Sequence, residues 1–213
     1  MKCLIVSAGS EPSLESLRKY ASESDFVIGV DKGCNYLYSA GIIPEYIVGD
    51  FDSSNKEIIN ILEEKGSKKY KFNCEKDSTD SEIAFDLAIS LGVCEIFFLG
   101  ATGGRFDHSL GNIGLLLRAL KKDVKANIID DRNKISIVDK SCIISEEDEY
   151  KYISFLAYEN VISKFNIKGA KYELENYDLK IGDSRTISNE FIKGMDISIS
   201  FSTGKLLVIY SKD

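Results

Sequence analysis

The feature that most constrains the fold is a change of pattern about 130 residues into the chain. Before this point, short apolar runs alternate with stretches whose apolar residues recur at helical spacing, as in residues 78–90 and 109–120. Strands that alternate with helices of about 10–15 residues are typical of βαβ units and of a mostly parallel, buried sheet. The runs that we interpret as its strands are residues 3–7, 26–30, 46–48, 69–72, 95–99 and 126–129.

The second part of the chain has short β-like runs with no helical stretch between them. In residues 197–201, isoleucine and phenylalanine alternate with polar residues, which indicates a half-exposed strand. Residues 202–205, Ser-Thr-Gly-Lys, predict a hairpin turn after it. Several strands at short spacing favour a β-sandwich or a partly closed barrel. We therefore expect two domains: an α/β catalytic domain at residues 1–124 and an all-β sandwich at residues 125–213, joined by the charged segment near residues 121–133.

Composition excludes several classes of protein. The net charge of −7 over 213 residues argues against binding to duplex nucleic acid, whose phosphates are gripped by lysine and arginine. No apolar run approaches the roughly 18–20 residues that a membrane span needs, and the first residues do not have the pattern of a signal peptide. The five cysteines are scattered, with no CxxC pair, which argues against a disulfide framework or a cysteine-bound zinc. We expect a cytoplasmic protein.

Six aspartates follow four successive predicted strands. Because the carboxyl ends of parallel strands meet at one edge of a sheet, we expect these side chains to share that edge. Any one of them could simply cap a helix, and Thr79 with Glu82 already forms a capping-box pattern there. Capping uses one residue per helix, however, whereas two of these loops supply two aspartates each. The six are Asp31, Asp50, Asp52, Asp77, Asp80 and Asp107.

This concentration of carboxylates predicts a divalent cation. Converging carboxylates repel one another unless a cation offsets their charge. Mg²⁺ prefers oxygen ligands and commonly binds one or two carboxylates together with substrate phosphates. The pattern therefore favours magnesium-dependent phosphate chemistry.

A glycine-rich turn after the fifth predicted strand is the second functional signal. Residues 100–105, Gly-Ala-Thr-Gly-Gly-Arg, would bring the backbone close to a ligand at a helix N-terminus, where free N–H groups bind anions. Arg105 adds donors suited to phosphate. By itself such a turn is equally well a tight turn, and a lone histidine such as His108, the only one in the chain, is more often structural than catalytic. Neither the P-loop pattern nor the dinucleotide-binding pattern occurs.

Three ordered motifs carry a resemblance to a known family. They are GDFDS at residues 49–53, KDSTDSE at 76–82 and TGGRFDH at 102–108, and together they resemble thiamine pyrophosphokinases. DKGCN at residues 31–35 stands in the place of that family's DGGAN-like segment, with Lys32 and Cys34 as departures. TISNEF at residues 186–191 resembles the family's Ser-Asn thiamine-binding loop.

The resemblance implies transfer of the pyrophosphoryl group of ATP to the hydroxyl of thiamine, by a homodimer whose fold is an α/β domain followed by a β-sandwich. Stacking on thiamine, which a tryptophan provides in some members, would fall here to Phe191, Tyr172 or another ring, because the chain has no tryptophan. The resemblance implies that Asp50, Asp52 and Asp80 bind Mg²⁺ and that Asp31 and Asp77 support the metal or the substrate hydroxyl. It implies that ATP is contacted by Thr102, Arg105, Asp107 and His108. Thiamine would be bound by Ser188 and Asn189 of the second subunit.

Other functions remain open on the sequence alone. One is a Mg²⁺-dependent kinase that moves only the γ-phosphate, or a pyrophosphokinase for another small alcohol. Another is a non-catalytic thiamine or nucleotide binder, which the two intact aspartate pairs argue against. A third takes the C-terminal sandwich as a protein-interaction module.

Overall fold

The computed structural model describes residues 1–51, 54–70 and 78–213. The chain divides into two compact units, Met1–Asp131 and Arg132–Asp213. No helix in the described ranges is long and apolar enough to cross a membrane.

The first unit is a parallel sheet with flanking helices, as predicted. The strand order is β6-β5-β1-β2-β3-β4, and every neighbouring pair is parallel. The strands are β1 (Lys2–Val6), β2 (Phe26–Val30), β3 (Tyr46–Val48), β4 (Lys68–Tyr70), β5 (Glu95–Leu99) and β6 (Lys125–Ile129). The helices are α1 (Leu14–Ser22), α2 (Gly33–Ser39), α3 (Lys56–Glu64), α4 (Asp80–Ser90) and α5 (Phe106–Leu120).

Burial on both faces explains why these strands are continuous apolar runs. Residues 3–6 of β1 are completely buried, as is expected of a central parallel strand covered by helices. Leu17 and Tyr20 of α1 pack with Leu4 and Phe97 in one core cluster. The α4 helix packs on β1 and β2 and buries Phe85.

Side-chain caps set where several of these helices begin. Ser13 accepts a hydrogen bond from Ser16 at the start of α1, and Asn55 accepts one from Glu57 at the start of α3. Thr79 and Glu82 form the predicted capping box, so Asp80 is the first residue of α4. Each cap satisfies N–H groups that have no partner within the helix.

The division between the units falls seven residues beyond the boundary expected between residues 124 and 125. The physical reason is β6, which pairs in parallel with β5 along its whole length, from Lys125 beside Glu95 to Ile129 beside Leu99. It is therefore the last strand of the first unit.

The second unit is the predicted β-sandwich. Its two antiparallel sheets have the orders β12-β9-β14-β7 and β11-β10-β13-β8. Phe155 and Val208 of the first sheet share one core cluster with Phe165 and Ile199 of the second. The strands are β7 (Asn133–Val138), β8 (Cys142–Ile144), β9 (Tyr152–Ala157), β10 (Val161–Lys168), β11 (Leu174–Lys180), β12 (Asn189–Glu190), β13 (Ile197–Ser200) and β14 (Leu206–Ser211).

The prediction of a hairpin turn at residues 202–205 is wrong. The strand before it, β13, pairs with β10 and β8, whereas the strand after it, β14, pairs with β7 and β9. The segment therefore passes from one sheet of the sandwich to the other. The alternation in β13 is confirmed, since Ile197 and Ile199 are buried and the serines between and after them are exposed.

Candidate active site

The strand order of the first unit creates an opening at one edge of the sheet. From β1 the chain adds β2, β3 and β4 on one side, and then β5 and β6 on the other side of β1. The loops that follow β1 and β5 therefore diverge at the carboxyl ends of two adjacent strands. In open α/β sheets this switch point is where ligands bind.

A cleft of about 690 Å³ lies at this point. One wall is the loop after β1, residues 7–10, together with the glycine turn after β5. Another part of the lining, the acidic wall, contains Asp31 and residues 79–81, from the end of β2 and the start of α4. Arg105 and His108 also line the cleft. A pocket lined by carboxylates and by a glycine-rich backbone suits a ligand that carries phosphates and a cation.

Backbone hydrogen bonds join the two loops of the first wall. Gly9 N donates to Gly100 O at 2.7 Å, and Ser10 N donates to Thr102 O at 2.8 Å. A Cβ atom at Gly9 would overlap both carbonyl oxygens, so only glycine allows this approach. The Tyr36 hydroxyl donates to Gly9 O at 3.0 Å and fixes the loop from the other side.

Asp31 is held in an unusual position on the acidic wall. Its φ of 45° lies in the left-handed region, and its Oδ1 atom lies against Gly49, at which no side chain would fit. This Oδ1 is buried and has no hydrogen-bond partner in the part of the chain that the structure describes. A buried carboxylate oxygen without a donor is costly, and a bound cation would satisfy it.

The surroundings of Asp31 disfavour its negative charge. Burial raises the pKa of this carboxyl to about 7, and the neighbouring carboxyl of Asp80, which hydrogen-bonds to it, and the charge of Asp50 act in the same direction. A hydrogen bond from the backbone of Phe51 acts in the opposite direction. The structure therefore brings Asp31 and Asp80 into contact, with Asp50 nearby, as the strand-end pattern predicted.

Only some of the other aspartates predicted for the metal site lie in the described residues. Asp50 is exposed, whereas Asp52 and Asp77 lie outside the described residues. Within the described ranges, no three His, Cys, Asp or Glu side chains form a group that could hold a metal ion by themselves. The metal set of Asp50, Asp52 and Asp80 thus stays a prediction.

Arg105 and Asp107 form an exposed pair at the start of α5. Arg105 Nε donates to Asp107 Oδ1 at 3.2 Å, and its Nη2 donates to Oδ2. The guanidinium holds the pKa of Asp107 near 2, well below its usual range. No side chain of the described residues caps this helix, although the amide of His108 donates to Asp107 Oδ1 at 3.0 Å.

Thr102 is engaged within the protein. Its hydroxyl donates to Asp130 Oδ2 at 2.9 Å, which ties the glycine turn to the end of β6. The buried Asn112 of α5 supports the same turn, since its Nδ2 donates to Ala101 O at 2.8 Å. The expected contact of Thr102 with nucleotide phosphates stays a prediction.

In the second unit, the predicted Ser-Asn pair organises a loop. Ser188 has a φ of 58°, and its amide donates to Ser154 Oγ at 2.9 Å. The buried Asn189 side chain accepts from Tyr172 N at 3.0 Å and donates to Tyr172 O at 2.7 Å. Tyr172 is 59% exposed, whereas the ring of Phe191 is stacked on Tyr210 at 5.9 Å. Of the two rings named for stacking, Tyr172 is the accessible one.

Two parts of the cleft lining, the loop at residues 7–10 and Asn112, are not predicted from the sequence. The signal is Ser-Ala-Gly-Ser at residues 7–10, which begins at the last residue of the first predicted strand. Small residues that follow a parallel strand allow a ligand to approach the backbone, so the rule used for the other strand ends also applies here.

Comparison with known proteins decides the family. Family models described as "Thiamin pyrophosphokinase, catalytic domain" and "Thiamin pyrophosphokinase, vitamin B1 binding domain" match residues 17–128 and 141–206. The chain is 38% identical to the thiamine pyrophosphokinase of Bacillus subtilis (strain 168) over 210 residues, which are 98% of either chain. The chain belongs to the thiamine pyrophosphokinase family.

Solved thiamine pyrophosphokinases have the same fold. The crystal structure of the Bacillus subtilis protein matches with a TM-score of 0.89 at 34% identity, covering 100% of both chains. That of the Geobacillus thermodenitrificans protein matches with a TM-score of 0.88 at 32% identity, covering 100% of this chain and 98% of that one. Membership of the family confirms the expected fold class and the expectation of an enzyme that is a transferase.

Proposed function

We propose that this thiamine pyrophosphokinase joins the hydroxyl oxygen of thiamine to the β-phosphorus of ATP. The bond from that phosphorus to the bridging oxygen of the α-phosphate breaks, so AMP leaves and thiamine diphosphate forms. The hydroxyl proton passes to a carboxylate of the acidic wall. Transfer of this kind asks the protein mainly to position the reactants and to offset negative charge.

The acidic wall fits a divalent cation. Asp31 and Asp80 contact each other, and a buried Asp31 oxygen has no donor among the described residues. Asp50, Asp52 and Asp80 would hold Mg²⁺, with Asp31 and Asp77 supporting it or the substrate hydroxyl. Bound Mg²⁺ would neutralise and orient the phosphates. The same carboxylates attract the permanent positive charge of thiamine.

The part of the cleft around the glycine turn fits the phosphates of ATP. The glycine turn presents its backbone, and α5 begins there with amides that have no partner within the helix. Arg105 is 73% exposed, so it can exchange Asp107 for a phosphate while keeping a bidentate partner. His108 lines the same part of the cleft.

The second unit would supply the thiamine contacts, from the partner subunit of a homodimer. Ser188 and Asn189 belong to the matched vitamin B1 binding region. Because Asn189 bonds to both the N–H and the C=O of Tyr172, it would present that ring for stacking. Offset stacking of this kind stabilises an aromatic contact beyond the area that it buries.

The observation that carries the proposal is that the Asp31–Asp80 contact and the glycine turn line one cleft. Asp80→Asn tests it, because the amide keeps the shape but loses the charge that offsets a cation. We expect turnover of ATP and thiamine to fall by about 100-fold, the size of effect seen when a key electrostatic group is lost. The control is Asp86→Asn on the same helix, which should retain activity. Equal activity in both variants would contradict the proposed metal site.

A further inference from the structure

The first turn of α4 carries a residue of the proposed metal site. Its first residue, Asp80, contacts Asp31, which follows β2. Asp80 can bind a cation together with the loop carboxylates only while this turn stays in place. Other contacts must therefore hold the turn in place.

One such contact is on the cleft side of the turn. The hydroxyls of Ser81 and Ser7 are hydrogen-bonded at 3.0 Å, which ties α4 to the end of β1. This bond joins two neutral groups, and bonds of that kind are weaker than those that involve a charged group. It does not bring a positive charge to the turn.

A positive charge reaches the same turn through Glu82. The Oε2 atom of Glu82 accepts from the Thr79 amide at 2.9 Å and completes the capping box. Its Oε1 atom accepts from Arg118 Nη1 at 3.3 Å. A single carboxylate thus connects the cap of α4 to a guanidinium of α5.

Arg118 is well placed to act as an anchor. Its Nη2 donates to Asp86 Oδ1 at 2.7 Å, so it bridges two carboxylates that lie one turn apart on α4. Its guanidinium also lies over the ring of the buried Phe85, 4.9 Å from the centroid. A planar fork with five donors on three nitrogens suits two separate carboxylates, whereas a lysine must reach both from a single nitrogen.

We propose that Arg118 is a positioning residue for the reaction. Through Glu82 it holds the first turn of α4 in place, and so keeps Asp80 where it can bind a divalent cation. This rests on the proposed role of Asp80 in metal binding. Arg118 does not line the cleft, and its effect reaches the metal only through Glu82 and the helix cap.

The test is Mn²⁺ binding to the full-length protein, followed by electron paramagnetic resonance, with Mg²⁺ titrations of activity beside it. Arg118→Met keeps an unbranched stem over Phe85 but removes both ion pairs. Glu82→Gln keeps an acceptor for the Thr79 amide and removes the charge that Arg118 binds. Asp86→Asn is the matched control, since it breaks only the other bond of Arg118. Arg118→Lys should restore binding in part.

We expect Arg118→Met and Glu82→Gln each to raise the Kd for Mn²⁺ by about twofold to fivefold, the range for partly exposed ion pairs. Saturating Mg²⁺ should restore kcat in both, which it would not do for a general packing defect. An unchanged Kd in Glu82→Gln would overturn the inference even if Arg118→Met failed to fold. So would an equal rise in Asp86→Asn. Failure of the parent protein to bind Mn²⁺ would instead overturn the proposed metal site.

Discussion

Asp31 combines three unfavourable circumstances: partial burial, a φ of 45° and contact with Asp80. Such strain is tolerated where the surrounding structure holds it, and it is common at functional sites. The raised pKa makes the neutral form the stable one in the folded protein without metal. The stability that this form contributes is complete below about pH 4 and is lost as the pH rises through about 7.

Asp31→Asn should therefore stabilise the metal-free protein at pH 8 and have little effect at pH 4. Asparagine tolerates the left-handed region better than most residues, so the backbone adds no penalty. We expect the Tm, measured in EDTA, to rise by about 2–4 °C at pH 8, while activity with Mg²⁺ falls. A Tm difference that is the same at both pH values would contradict the origin assigned to the pKa shift.

For single residues, the sequence predicts a place in the site where the residue follows a strand. Asp31, Asp50 and Asp80 follow this rule, and the structure brings them to one place. It does not predict partners that are distant in the chain. The bond from Thr102 to Asp130 spans 28 residues, and the need for glycine at position 9 comes from carbonyls of another loop.

The start of α4 is the helical element on which the site depends most. Thr79→Ala removes the side-chain half of its capping box and should lower the free energy of unfolding by about 1 kcal/mol. The first turn would then fray, so we also expect the KM for Mg²⁺ to rise. Measurement of unfolding and of Mg²⁺ dependence on the same preparation checks both effects.

Ser13→Ala is the matched control for that prediction. It removes the cap of α1, where the Ser13 side chain accepts from the amide of Ser16. The loss of stability should be similar, because both residues cap a helix start, but activity should be retained. If both variants lose activity in proportion to stability, the cap of α4 has no special role in the site.

Helices and strands are predicted well where the period of apolar residues determines the type of element. The position of a strand in a sheet is predicted less well, because it depends on which strands pair. The parallel sheet follows from long alternating segments. The predicted hairpin at residues 202–205 has suitable turn chemistry, but turn chemistry does not specify which sheet the next strand joins. The place of β6 likewise depends on its pairing with β5, which the period of apolar residues does not specify.

In the whole molecule, we propose that the first unit binds the phosphates and the metal and that the second unit binds thiamine. Asn189→Ala tests this division. Loss of the two bonds that hold Tyr172 should raise the KM for thiamine by about tenfold, with the KM for ATP unchanged. Steady-state kinetics with each substrate varied in turn gives both values.

Asn166→Ala controls for a general effect on the sandwich. Asn166 also makes side-chain hydrogen bonds, to Lys164 and Ser200, but it lies on β10 in the other sheet. Its loss should leave the KM for thiamine unchanged. A rise in both variants would indicate that the sandwich is destabilised as a whole, and no rise in either would contradict thiamine binding by this loop.

The identity of the products tests directly whether the protein transfers a pyrophosphoryl group from ATP to thiamine. The protein should be incubated with ATP, Mg²⁺ and thiamine, and the nucleotides and thiamine esters then separated and quantified. We predict AMP and thiamine diphosphate in equal amounts, both absent when the Mg²⁺ is chelated. Accumulation of ADP with thiamine monophosphate would show transfer of a single phosphoryl group and would contradict the proposed reaction.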